Sequence, residues 1–487
     1  MKKRDILYYL IIGLIIIFGC YLRINAYLGF RALWHDESAL AWTLMNKSIF
    51  DYFGSLMMEQ SAPPLFLILT KCICGLTDYR EGALRFLPML ASLLSLPVFF
   101  VFSQKFLKNK FTLIIANFLF CINFQLIYYA QELKQYSSDV LFFMLTFLFL
   151  LKIDLKNTTT KKLLVFGSVL AIAPFISVPT LIVIGGFFIV ELIRDKKEII
   201  KPLLIFLLPV TLTFCFLYIT TYAPQRTDYM LDFWHTGFLT LSLSKNLYII
   251  TKNLTFMFQP NEFILLNLLL ILIGFFRIIR QYQIKENLYI LTIWGLILTA
   301  SALHLYPLML RISLYTLPMI IVFLVKPLDF ISLQKKLYSV FILIILFLST
   351  SFYHKAYFLK VMSREHYLLF DARATMQCLK ESYNNKDLIV VNNVSIPDFL
   401  YYMSYYNLDY KNCIFLKTED RDFKRNKDYN SYKKILKQIP ENQKVWFFYS
   451  FDIREGVEIP LLKKWLEDKK IIKEYHNHDS YLVYAQI

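Results

Sequence analysis

Residues 1–38 read MKKRDILYYLIIGLIIIFGCYLRINAYLGFRALWHDES. Lys2, Lys3 and Arg4 precede a largely apolar run at 6–28, and Trp34-His35-Asp36-Glu37-Ser38 follows it. A helix of that length crosses about 30 Å of hydrocarbon. The run is too long for a cleaved signal peptide and has no small-residue cleavage site. The three cations hold the N-terminus in the cytoplasm, which places the paired carboxylates on the outward side.

The rest of the chain repeats this pattern. Ten further apolar runs lie near 84–104, 111–129, 137–152, 162–177, 178–194, 202–223, 262–279, 286–304, 309–327 and 337–354. The pair 162–177 and 178–194 is one long stretch broken only by Ser177-Val178-Pro179, so it reads as one helix or two. With eleven spans every second loop is basic. The cytoplasmic loops hold Lys105, Lys108 and Lys110; Lys152, Lys156, Lys161 and Lys162; Arg194, Lys196, Lys197 and Lys201; Arg277, Arg280 and Lys285; and Lys326, Lys335 and Lys336. That side carries about 20 basic residues and the opposite side about 8, the asymmetry that orients helical membrane proteins. The outward side receives long loops at 29–83 and 224–261, a short one at 130–136, and everything beyond about 355.

Composition agrees. Of 487 residues, 57% are hydrophobic and only 18% charged, against about a quarter charged in soluble domains. This excludes a disordered chain, a collagen and a coiled coil. The net charge of +17 is explained by loops held against an anionic leaflet, so no nucleic acid is implied. Seven scattered cysteines make no disulfide framework and no zinc spacing; a single Cys378–Cys413 bridge stays open.

The expected fold is therefore a mostly α polytopic membrane domain over 1–355, with an extracytoplasmic α/β domain over 356–487. In the latter, 387–391, 413–416, 444–449 and 481–484 read as buried strands, and 364–383, 396–406, 428–439 and 458–469 have helical spacing. It has no Gly-rich phosphate loop. Asp420-Arg-Asp422 reads as solvated surface.

Four outward motifs stand out. Adjacent carboxylates Asp36 and Glu37 at a membrane boundary are costly without a partner or a task; the plainer reading makes Asp36 the N-cap of a helix over 37–46. Ser61-Ala62-Pro63-Pro64-Leu65 begins a helix. Glu81-x-x-x-Arg85-x-x-Pro88 puts a cation at the outer end of the second span, to snorkel or to hold phosphate. Tyr129-Ala130-Gln131-Glu132-Leu133-Lys134-Gln135-Tyr136 makes a polar cluster on the same side.

This ordered set, with Arg311-Ile312-Ser313-Leu314-Tyr315-Thr316-Leu317-Pro318 in a late helix, resembles the GT-C glycosyltransferases of the protein-mannosyltransferase type, including the lipid A aminoarabinose transferase and related bacterial enzymes. The fit covers roughly 1–150 and is looser to about 320. Many members have His or Lys where this chain has Ala62, and Arg where it has Lys134. The resemblance implies a hexosyl- or pentosyltransferase in the bacterial inner membrane. Its donor would be a polyprenyl-phosphate-linked sugar, and its acceptor a hydroxyl on an envelope lipid, glycan or protein. Transfer would invert the anomeric carbon by a single displacement at the outer interface. Asp36 would then be the base, with Glu37 beside it. Lys134, Arg85 and Arg311, in falling order, would hold the donor phosphate, and Glu132 and Tyr136 would orient or tune these groups. No cofactor is required. Some relatives bind a divalent metal, for which Glu59 and His235 are the candidates, without ligand spacing.

Two other classes were weighed. A flippase or transporter of lipid-linked sugars predicts internal repeats and charges at mid-membrane, and no repeat is visible. A polysaccharide-assembly protein predicts Arg-rich outer loops, whereas 224–261 has only Arg226.

Overall fold

The computed structural model describes residues 3–194, 198–258, 264–330, 371–384, 386–416, 429–450, 458–477 and 480–487. The first of these segments holds α1 (Lys3–Tyr27), α2 (His35–Asn46), α3 (Pro64–Thr77), α4 (Glu81–Ser103), α5 (Lys110–Ile122), α6 (Phe124–Tyr128), α7 (Tyr136–Leu150), α8 (Thr160–Leu170) and α9 (Thr180–Arg194). Then come α10 (Ile200–Leu217), α11 (Ala223–Gln225), α12 (Asp228–Phe233), α13 (Leu243–Met257), α14 (Ile264–Arg280), α15 (Lys285–Ala302) and α16 (Leu317–Val325).

The first ten apolar runs fall on helices; the eleventh, 337–354, lies outside the described residues. The stretch 162–194 is two helices, separated by a short turn at Ala173–Phe175. Among the described residues, Asp5–Tyr27, Glu81–Ser103, Ile200–Gln225 and Leu310–Asp329 are long and apolar enough to cross a membrane. Lys110–Ile122 with Phe124–Gln131 makes a fifth if the pair, bent by 48°, is one span. The other apolar helices are too short or too polar at their ends to pass alone. Ile6, Leu7, Leu10, Leu14 and Ile17 of α1 face outward, as side chains solvated by lipid do.

The bend between α5 and α6 carries the polar loop 129–135 and is built from side chains. Asn123 caps α6 by accepting from the Leu126 N–H, and its amide donates to the Met257 carbonyl at 2.8 Å. Arg23, fully buried in α1, donates to the carbonyls of Cys121 (3.0 Å), Phe120 (3.4 Å) and Gly19 (3.1 Å), and to Ser92 Oγ (2.8 Å). Carbonyls freed at a helix break in hydrocarbon need such donors.

The C-terminal unit contains α17 (Ala372–Ser382), β1 (Leu388–Val391), α18 (Ile396–Tyr405), β2 (Cys413–Phe415), α19 (Tyr429–Leu436), β3 (Lys444–Tyr449), α20 (Glu458–Leu466), β4 (Lys470–Asn477) and β5 (Ser480–Gln486). The sheet order is β2-β1-β3-β5-β4; β1 runs parallel to β2 and β3, and β5 antiparallel to β3 and β4. All four expected strands are present. The fifth, β4, was missed because it is an edge strand with a register shift at Ile471/Lys473 and a charged sequence, a pattern that protects sheet edges and weakens the alternation signal. Cys378 and Cys413 are both free thiols, so the bridge left open above is not formed. Asp420 and Asp422, and the 355/356 boundary, lie outside the described residues. Phe399, Tyr401, Tyr402, Trp446 and Leu482 share one apolar core with Leu33, Leu40, Phe66 and Leu84, so the α/β unit packs directly on α2, α3 and α4.

Candidate active site

The segment 34–37 organises the site. Trp34 is extended and begins α2, and Glu37 at the third helical position reaches back to the Trp34 N–H at 3.4 Å. Asp36 is thus in the first turn and is not the N-cap, a correction to the plainer reading. Both acids still profit from the positive end of the helix.

The two neighbours have separate lives. Glu37 is fully buried. Arg85 Nε and Nη2 each donate to it at 2.7 Å, the Leu133 N–H donates at 2.7 Å, and Arg31 lies at 3.0 Å. Burial alone would raise its pKa; the Arg31 and Arg85 cations and the Leu133 N–H outweigh that and hold it below the usual carboxylate range. Arg85 also donates to the carbonyls of Arg31 (2.6 Å) and Ala32 (3.1 Å). Its guanidinium is therefore a strut joining α4 to the start of α2, and the expected phosphate role for Arg85 is not supported by this geometry.

Asp36 is partly exposed and accepts from Arg311 Nη2 at 2.5 Å. The Arg311 guanidinium lies over the rings of Trp34 and Trp234, 4.9 and 5.8 Å from their centroids, a cation–π seat. Its segment is pinned by Asn253, which accepts from the Leu310 N–H and from Ser313 Oγ (3.1 Å) and donates to the Leu308 carbonyl (2.6 Å). Leu310 itself has φ +47°, a strained conformation for a branched residue. Burial pushes the Asp36 carboxyl up, but Arg311, Lys134 and His35 together pull it below its ordinary value.

Lys134 and Glu132 complete the cluster. Lys134 is buried and donates to Gln60 Oε1 at 2.6 Å. Burial lowers its pKa despite the Asp36 and Glu132 charges. Glu132 is buried with Arg31 at 3.9 Å, and its Oε1 has no hydrogen-bond partner among the described residues. Burial, then the nearby Glu37 charge, pushes its carboxyl up to about 7. Tyr136 packs edge-on against Tyr129 at 5.2 Å, under the same cluster.

The two metal candidates stay outside it. Glu59 is exposed and accepts from Thr227 Oγ1 at 2.6 Å, and the His235 ring pairs with the Asp232 carbonyl. Among the described residues no three His, Cys, Asp or Glu converge as a metal site would require. The residues present do not fit a metal centre, and no chemistry is derived through one.

Sequence reading missed Arg31, Gln60, Asn253 and Asp139. Arg31 and Gln60 are single polar residues in loops, with no spacing signal. Asp139 did carry one: Ser137-Ser138-Asp139 opens an otherwise apolar helix, and intramembrane acids mark sites. It is buried near Ser177, Tyr222, Tyr306 and Tyr315.

A mostly helical membrane chain with this polar cluster at one end, covered by a small α/β unit, has the GT-C fold. No family model matches the chain, and no curated protein matches it. Solved structures do. ArnT from Cupriavidus metallidurans bound to undecaprenyl phosphate aligns with TM-score 0.59 at 11% identity, covering 97% of this chain and 98% of that one. The apo state of ArnT gives 0.58 with the same coverage. The apo oligosaccharyltransferase of Archaeoglobus fulgidus gives 0.53 at 12% identity, over 99% of this chain and 74% of that one. The expected fold is the observed one, and the chain is an integral membrane protein.

Proposed function

We propose that this protein is a membrane glycosyltransferase that moves a sugar from a polyprenyl-phosphate donor to a hydroxyl of an envelope lipid, glycan or protein. The observation that carries this reading is the Asp36–Arg311 ion pair at 2.5 Å with Lys134 beside it. It supplies one ionised carboxylate for the acceptor and two cations for a leaving phosphate. Two similar structures are described with such lipids: ArnT bound to undecaprenyl phosphate, and the archaeal oligosaccharyltransferase AglB in complex with a dolichol-phosphate. The enzyme would sit in the bacterial inner membrane with its N-terminus in the cytoplasm and its site outside.

In the proposed reaction the acceptor oxygen attacks the anomeric carbon and its proton passes to Asp36. The bond from that carbon to the phosphate oxygen breaks, and the phosphate leaves with its electron pair. Arg311 exchanges Asp36 for the phosphate when donor binds, which frees the carboxylate. Lys134 supplies the second cation. Glu37, Arg31 and Arg85 hold the first turn of α2 in place, while Glu132 and Tyr136 tune the cluster. A hexosyl or pentosyl group fits this chemistry equally.

The test compares wild type with Asp36→Asn in detergent, given radiolabelled polyprenyl-phosphate sugars and an envelope extract. Transfer by wild type and a loss above ~100-fold in the variant, the scale of general-base catalysis, support the reading. Equal transfer by both demotes Asp36. Lipid translocation in vesicles without transfer would replace the transferase with a flippase.

A further inference from the structure

The proposed reaction leaves one buried acid unused. Asp398 lies in the first turn of α18, at the carboxyl edge of the parallel strands, and is only 2% exposed. Ser450, directly after β3, donates to Asp398 Oδ2 at 2.7 Å. Ser395 fixes Ser450 in turn, accepting from its N–H at 2.7 Å and donating to its carbonyl at 3.0 Å. One turn along the same face of α18, the Tyr402 hydroxyl accepts from the Leu33 N–H at 2.7 Å and lies 3.3 Å from Glu81 Oε1. These contacts lock α18 onto residues 33–38 and bring the Asp398 carboxyl against His35 and Ser38. The His35 ring also acts on the neighbouring Asp36 carboxyl. A buried carboxyl is costly unless partnered. The other charged group facing Asp398 is Glu37, itself occupied by Arg31 and Arg85, so His35 is the one cation-forming partner α2 presents to it.

We propose that Asp398 is a positioning residue: it holds the His35 ring, and through it Asp36, so that the C-terminal α/β unit completes the active site. Carboxylates placed behind an imidazole fix its tautomer and orientation in this way. The role in turnover rests on the transferase reading above; the Asp398–His35 pair does not.

The experiment therefore reads the pair without substrate. Full-length protein in detergent is treated with diethyl pyrocarbonate across a pH series, and His35 modification is followed by mass spectrometry. The midpoint falls by about one pH unit in Asp398→Asn, since losing an adjacent carboxylate costs the imidazolium about that much. In transfer assays Asp398→Asn and His35→Gln each lower kcat about tenfold with donor KM unchanged, and the double variant loses no more than either single one, as coupled residues do. Ser450→Ala keeps both charges, loosens the carboxyl, and gives a smaller kcat loss; it carries the test if Asp398→Asn does not fold. An unchanged His35 midpoint overturns the pair. A shifted midpoint with unchanged kcat, or additive losses, overturns the positioning role. A shifted midpoint in a protein that transfers no sugar keeps the pair, and removes the positioning role together with the transferase reading.

Discussion

The span Leu310–Asp329 carries a polar knot at each end, and the two knots differ in kind. At the far end Asp329 accepts from the N–H groups of Lys108 and Asn109 at 3.1 Å, from Thr112 Oγ1 at 2.5 Å and from Lys326 at 3.3 Å. Lys326 also donates to the Phe106 carbonyl at 2.5 Å. At the near end Arg311 Nε and Glu132 Oε1 are buried without hydrogen-bond partners among the described residues, and Leu310 is strained. Both knots bury charge. One closes its hydrogen bonds and caps α5; the other leaves valences open toward a ligand. Buried polar groups are expected to be satisfied, so the unsatisfied knot is the one that calls for a functional account.

The largest expected effect compares the two knots by stability. Glu37→Gln and Asp329→Ala each strand a buried cation and cost about 3 kcal/mol, read as a lower unfolding temperature in detergent. Turnover per folded molecule falls in Glu37→Gln and is unchanged in Asp329→Ala. Equal turnover in both variants would erase the distinction.

Next in size is Arg311→Lys, which keeps the charge but loses the planar fork and the seat on Trp34 and Trp234. A tenfold loss in kcat/KM for the donor, about 1.4 kcal/mol, is expected. Lys326→Arg at the other knot leaves kcat/KM unchanged.

The smallest effect is one of pH. With its carboxyl pushed up to about 7, Glu132 is neutral below that pH and anionic above it. Ionisation subtracts a charge from the cations proposed for the donor phosphate, so kcat/KM for the donor falls a few-fold as pH rises through about 7. Glu132→Gln flattens that limb. A limb retained in the variant would assign it to another group.

How much of this was legible in advance differs residue by residue. Lys444–Tyr449 was read to the residue because a buried parallel strand is a continuous apolar run. β4 was invisible because an exposed edge carries Lys and Glu. Asp36 and Glu37 were singled out together, but their chemistry looked alike from sequence and proved opposite in structure. Arg85 and Arg311 exchanged rank for the same reason: a side chain's partners depend on groups far away in the chain.

By itself, the sequence determined the apolar helices, the basic loops, the α/β character of the C-terminal unit and the GT-C resemblance. Hydropathy, charge and strand or helix period are local properties that a chain carries wherever it folds. Only the tertiary structure decided that Asp36 meets Arg311, 275 positions away, that Arg85 is spent on Glu37, and that Asp398 reaches α2 from the far end of the chain. Electrostatic partnership and burial depend on distance in space, which no window along the chain contains.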